Sequence, residues 1–118
     1  MSTFRSILSF NLKEGVTTDE FESFINDEYK PAYLAVKGFL NLELLKKAEE
    51  QDTIFEQPSP DYLIMEFWES SESHGQVWKQ ENMEAVRTTL GIRVVNALTK
   101  LHDEYGDRIG SYHSVVVP

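Results

Sequence analysis

The stretch from Tyr62 to Trp68 constrains this chain more than any other. Read with a period of two, it puts Tyr62, Ile64, Glu66 and Trp68 on one side of a strand and Leu63, Met65 and Phe67 on the other. Both sides are apolar apart from one carboxylate, so both must be covered in the folded protein. Phe39 to Leu45 reads as a second strand of the same kind, with Leu40, Leu42 and Leu44 on one face and Phe39, Asn41, Glu43 and Leu45 on the other. A sheet of such strands needs a layer on each of its two faces.

The remaining segments supply one of those layers. Phe4 to Leu12 alternates Phe4, Ser6, Leu8, Phe10 and Leu12 against Arg5, Ile7, Ser9 and Asn11, which predicts a strand. Thr17 and Glu20 are spaced for a capping box, and Phe21, Phe24, Ile25, Tyr29, Ala32 and Val36 follow at helical spacing up to Gly38. Pro31 has no N–H and crowds the carbonyl four residues back, so this helix should kink or loosen just before it. Lys47 to Pro60 is polar, carries Pro58 and Pro60, and reads as a mobile surface loop. Ser70, Ser71 and Ser73 are candidate caps for a short helix bearing Val77 and Trp78. A longer helix from near Asn82 carries the stripe Met83, Val86, Leu90, Val94, Ala97, Leu98, Leu101 and Tyr105, with Gly106 as its C-terminal cap. Ile109 to Val117 closes the chain as a strand.

The order strand, helix, strand, strand, helix, strand is the split βαβ arrangement of an α+β, ferredoxin-like βαββαβ fold with a four-stranded antiparallel sheet. At 118 residues, the whole chain, 1–118, is expected to be one domain. Two helices cover one face of such a sheet. The other face is expected to be buried by a second copy, in a sheet-to-sheet homodimer.

Composition removes several function classes. Twenty Asp and Glu against eleven Lys and Arg give a formal charge of −9, a surface that repels the nucleic-acid backbone, so no nucleic-acid partner is expected. No apolar run approaches the roughly 18 residues of a membrane helix, and no secretory signal pattern opens the sequence, so a cytoplasmic protein without membrane association is expected. The chain has no Cys, which excludes disulfides and thiolate chemistry. His74, His102 and His113 lack metal-binding spacing, and glycine-rich phosphate loops and nucleophile elbows are absent, so neither a metal nor a cofactor is expected.

Three segments carry a family resemblance that extends over nearly the whole chain. They are Tyr29-Lys30-Pro31 leading to Gly38-Phe39, the strand Tyr62 to Trp68 with Glu69, and Ser71 to Trp78. Together they resemble the dimeric α/β-barrel superfamily, which includes antibiotic-biosynthesis monooxygenases, EthD-like proteins and stress-responsive barrel proteins. Tyr29 stands where EthD-like members carry a His. The resemblance implies two ferredoxin-like subunits packed sheet against sheet, each with a small-molecule pocket between its sheet and its helices. It also implies a range of activities, from cofactor-independent oxygenation and isomerisation to haem degradation.

Three residues are candidates for proton transfer. His74, near the start of a helix, could act as a base towards a phenol or an activated carbon acid, or simply solvate the helix end. Glu66 is a carboxylate inside an apolar strand, costly to bury unless paired or protonated. It could face a pocket, pair with Arg5 or His113, or sit at a dimer seam. Tyr29 is the third. Tyr33, Trp68, Trp78, Tyr112 and His113 are candidate substrate-binding residues, and as a set they favour a flat aromatic or hydrophobic ligand. The reading is an enzyme resembling cofactor-independent monooxygenases or isomerases, acting on an aromatic or polyketide-like substrate. The alternative is a non-catalytic dimer that binds a small hydrophobic ligand or a protein partner. Haem handling is a third, weaker reading.

Overall fold

The structure is a computed structural model and describes residues 3–49, 59–78 and 92–117, with the backbone alone for 75–78 and 92. Its strands are β1 (Phe4–Leu12), β2 (Phe39–Lys46), β3 (Tyr62–Trp68) and β4 (Gly106–Val115). They form one antiparallel sheet in the order β2-β3-β1-β4, the ferredoxin-like arrangement. The helices are α1 (Thr18–Phe24), α2 (Lys30–Leu34), α3 (Ser71–Trp78) and α4 (Ile92–Lys100).

Sequence chemistry accounts for the local structure. Thr17 Oγ1 accepts from the Glu20 N–H at 3.1 Å while Glu20 Oε1 accepts from the Thr17 N–H at 3.2 Å, the reciprocal capping box. The loosening before Pro31 takes the form of a π-helical turn, Ile25–Tyr29, between α1 and α2, in which the Lys30 N–H reaches back five residues to the Ile25 carbonyl. A second π turn, Leu101–Tyr105, ends α4 and leads straight into β4. Gly38 has φ +87°, and a Cβ there would lie 2.6 Å from the Ser73 Cβ, so only glycine lets the turn into β2 pass beneath α3.

One boundary and one strand register differ from expectation. β4 begins at Gly106 rather than Ile109, and Gly106 is extended at the end of the helix, with Phe10 too close for a side chain to fit easily. An irregularity between Phe39 and Asn41 lets Phe39 turn inward with Leu42, while Leu40 is pushed out and exposed. The expected stripe is described from Val94 onward, where Val94, Ala97 and Leu101 are buried. Met83, Val86 and Leu90 lie outside the described residues, as do residues 50–58 of the expected surface loop.

The sheet has two different faces. The inner face, under the helices, carries Phe4, Ser6, Leu8 and Phe10 of β1 and Tyr62, Ile64, Glu66 and Trp68 of β3, all buried. Phe21, Phe24, Ile25, Tyr29, Tyr33 and Leu101 pack onto it. The outer face carries Arg5, Ile7, Leu63, Met65 and Phe67, all only half-buried, with no described helix over it.

Candidate functional site

The site follows from the strand register. Ser6 is opposite Glu66 on one side and His113 on the other, Leu8 is opposite Ile64 and Ser111, and Phe10 is opposite Tyr62 and Arg108. Three successive rows of the inner face therefore run Glu66–Ser6–His113, then Leu8–Ser111, then Phe10–Arg108. α3 lays His74 at the first end and the end of α4 lays Leu98 and His102 along the rest, enclosing a cavity of about 570 Å³. That volume is in the range of small-molecule sites. A groove of about 410 Å³ beside β2 is a weaker candidate. Its polar groups satisfy one another, with the Tyr62 hydroxyl donating to Glu22 and Lys46 pairing with the same carboxylate at 3.6 Å.

Glu66 is 2% exposed. Burial pushes its pKa up to about 7, against the opposing pull of the Trp68 indole, whose Nε1–H donates to Glu66 Oε1 at 2.9 Å. The Tyr29 hydroxyl acts in the same direction as the indole. It is itself buried, faces Glu66 and Tyr33, and makes no hydrogen bond of normal geometry among the described residues. Burial raises the pKa of Tyr29 and Tyr33 well above the usual value, so both hydroxyls stay protonated and keep a proton to donate.

His74 opens α3, whose N-terminus is capped by the Ser70 hydroxyl accepting from the Ser73 N–H at 3.1 Å. It is not the solvated cap that its helix-start position allowed, being 9% exposed and wedged among rings. Trp68 lies edge-on at 5.2 Å, Phe4 at 4.9 Å and His113 at 4.8 Å between centroids. Burial first, and the His113 imidazole second, lower its pKa to about 4, so it is neutral at pH 7. A titrating carboxyl and a neutral imidazole thus line one cavity.

The other expected residues divide. Tyr33 and His113 line the cavity, and Trp68 stands behind Glu66 as its hydrogen-bond donor. Tyr29 sits beneath Tyr33, with ring centroids 4.7 Å apart, and touches the site only through Tyr33 and Glu66. Tyr112 does not belong: it pairs with Ile7 on the outer face and is 66% exposed, because successive strand residues point to opposite sides. The side chain of Trp78 lies outside the described residues. The pairing of Glu66 with Arg5 is overturned as well, since Arg5 is on the outer face with its guanidinium 4.2 Å over the Phe67 ring. Sequence reasoning passed over His102, Arg108, Ser6 and Ser111, all of which line the cavity. Among the described residues, no group of three or more His, Asp or Glu is arranged to hold a metal ion. No described helix is long and apolar enough to cross a membrane.

By sequence, the chain matches no known family profile and no curated protein. By structure, it is similar to a cofactor-independent oxygenase, SnoaB, from Streptomyces nogalater, at 14% identity and TM-score 0.61, covering 100% of this chain and 94% of that one. An EthD-like protein from Ralstonia eutropha matches at 14% identity and TM-score 0.61, covering 100% and 95%. A dimeric ferredoxin-like protein of unknown function from Thermobifida fusca matches at 14% identity and TM-score 0.62, covering 98% and 92%. At these identities the likeness is one of fold: the chain has a ferredoxin-like fold, the one that the resemblance read from the sequence implies.

Proposed function

We propose that the protein is an enzyme of the cofactor-independent monooxygenase or isomerase kind, acting on a small aromatic or polyketide-like compound in the cavity between sheet and α4. The observation that carries this reading is Glu66, a buried carboxyl with a pKa near 7 on the wall of a cavity that also holds neutral His74. A base poised near the working pH takes a proton from a phenol or an activated C–H efficiently and returns it as readily. The resulting delocalised anion either regains a proton elsewhere, which is isomerisation, or forms a C–O bond with molecular oxygen; the hydroperoxide formed after protonation breaks its O–O bond and loses water to leave a carbonyl, which is oxygenation. Tyr33, a donor locked in its protonated form, is placed to stabilise oxygen charge that develops in the cavity.

The assembly proposed with it is a homodimer through the outer face. Ile7, Met65 and Tyr112 form a continuous row there, flanked by Phe67 and Leu63, and solved structures of similar fold are described as dimeric. The test of the enzymatic reading is oxygen uptake and spectral change with a panel of phenols and quinols, comparing the wild type with Glu66→Gln. Loss of about 100-fold or more in kcat/KM is expected for the variant. Undiminished turnover refutes Glu66 as the base. Ligand binding without turnover in the wild type would favour the binding-protein reading instead.

A further inference from the structure

Glu66 belongs to a polar file that crosses a largely apolar face of the sheet. Its two cross-strand neighbours are Leu42 on β2 and Ser6 on β1, and Ser6 is in turn opposite His113 on β4. Glu66 and Ser6 sit between apolar rows, with Phe4 opposite Trp68 on one side and Leu8 opposite Ile64 on the other. Burial grades along the file: Glu66 and Ser6 are buried, whereas His113 is exposed on a strand at the edge of the sheet. All three line the cavity. Residues directly opposite each other in an antiparallel pair have Cβ atoms about 5 Å apart, so each step of the file is within reach of a hydrogen bond made directly or through one water.

The other groups around Glu66 give its proton no outlet. Leu42 has no polar atom in its side chain, the Trp68 indole only donates, and Tyr29 and Tyr33 are buried. His74 faces His113 at 4.8 Å between ring centroids, but burial lowers its pKa to about 4, so it is a poor proton carrier at pH 7. His102, Asp103 and Arg108 also line the cavity and stand outside the file. Histidine is the side chain best suited to exchange protons with water near neutral pH, and His113 joins that chemistry to an exposed position.

We infer that Ser6 and His113 form a proton path between the Glu66 carboxyl and solvent. Glu66 gives its proton to the Ser6 oxygen while the Ser6 hydroxyl proton passes to a lone-pair nitrogen of His113, and the imidazolium then releases a proton to water or a buffer base. Together these transfers move one proton out of the cavity and leave Glu66 a carboxylate, Ser6 a hydroxyl and His113 neutral. The reverse sequence reloads the carboxyl. A ligand in the cavity covers Glu66, but the exposed imidazole keeps its contact with water. Ser6 and His113 thus act through Glu66 and not on a substrate. The inference rests on the proposed role of Glu66 as the base, but its test needs no substrate and no turnover.

The test is carbon-13 relaxation dispersion of the Glu66 carboxyl, recorded for each protein at its own titration midpoint, which reads the rate of proton exchange. His113→Ala and Ser6→Ala should each slow exchange about tenfold or more, since a positioned acid–base group contributes at least that much to a proton transfer. Ser6→Thr, which keeps a hydroxyl, should exchange like wild type. Imidazole added to His113→Ala should restore the rate, which it would not do if the histidine only supported the structure. Exchange that is unchanged in either alanine variant, or imidazole that speeds wild type as much as His113→Ala, overturns the path and leaves Glu66 standing as the base. A wild-type midpoint near 4.5 overturns the reading of Glu66 together with the path.

Discussion

Glu66→Gln is the most informative single change, because it removes a titration while keeping the shape and an acceptor oxygen for the Trp68 indole. The carboxyl titrates near 4.5 in the unfolded chain and near 7 in the folded one. Between those values the folded state holds a proton that the unfolded state has released, so stability falls as pH rises through the window and the loss is complete above pH 7. The difference corresponds to about 3 kcal/mol for this buried group. Wild type and Glu66→Gln should therefore have similar stability at pH 4, and the variant should be more stable by about 3 kcal/mol at pH 8. Urea unfolding of both proteins across that range reads the difference directly, with every other titration cancelling. A difference that does not change with pH, or a variant less stable at pH 8, would refute the reasoning.

Four further outcomes follow from the same structure. His74, whose pKa is lowered from 6.5 to about 4, contributes stability that is present above pH 6.5 and lost as pH falls towards 4, opposite in sign to Glu66; acid unfolding of Glu66→Gln should therefore be steeper than that of wild type over this range. Gly38→Ala should cost more than the roughly 1–2 kcal/mol of a left-handed residue, because its Cβ also meets Ser73, whereas Gly15→Ala, at φ +86° in open space, should cost only that; thermal melts of the pair check the order. Thr17→Ala should lose about 1 kcal/mol through the capping box, read by urea unfolding. If the proposed dimer forms through the outer face, wild type should scatter light as a dimer and Met65→Lys, in the centre of that face, as a folded monomer; a variant that remains dimeric would place the interface elsewhere.

Much of the fold was legible because alternation and helical spacing are local. Tyr62 to Trp68 revealed a strand with two apolar faces, and Thr17 with Glu20 marked a helix start that the capping box confirms. Pro31 announced a loosened helix, but whether it would kink or widen into a π turn depended on Ile25 and Tyr29 staying in the core. Glu66 was visible as an anomaly, yet its face was not, since one slip of register reverses every side chain of a strand. The misplacement of Tyr112 was avoidable: it is adjacent to His113, and one strand cannot turn both towards the same cavity. His102 and Arg108 carried little signal. His102 follows Leu98 by four residues, which is the spacing that hands it the Leu98 carbonyl, but the place of Arg108 on the cavity wall is set only when β4 pairs with β1.

The proposed chemistry depends on Glu66 being a buried carboxyl that titrates near neutrality on the wall of the cavity. Carbon-13 NMR of the Glu66 carboxyl, titrated with and without 2,6-dihydroxyanthraquinone, tests it most directly. A midpoint near pH 7 is expected for the free protein and a shifted midpoint when the probe is bound. A midpoint near 4.5 that the probe leaves unmoved would contradict it.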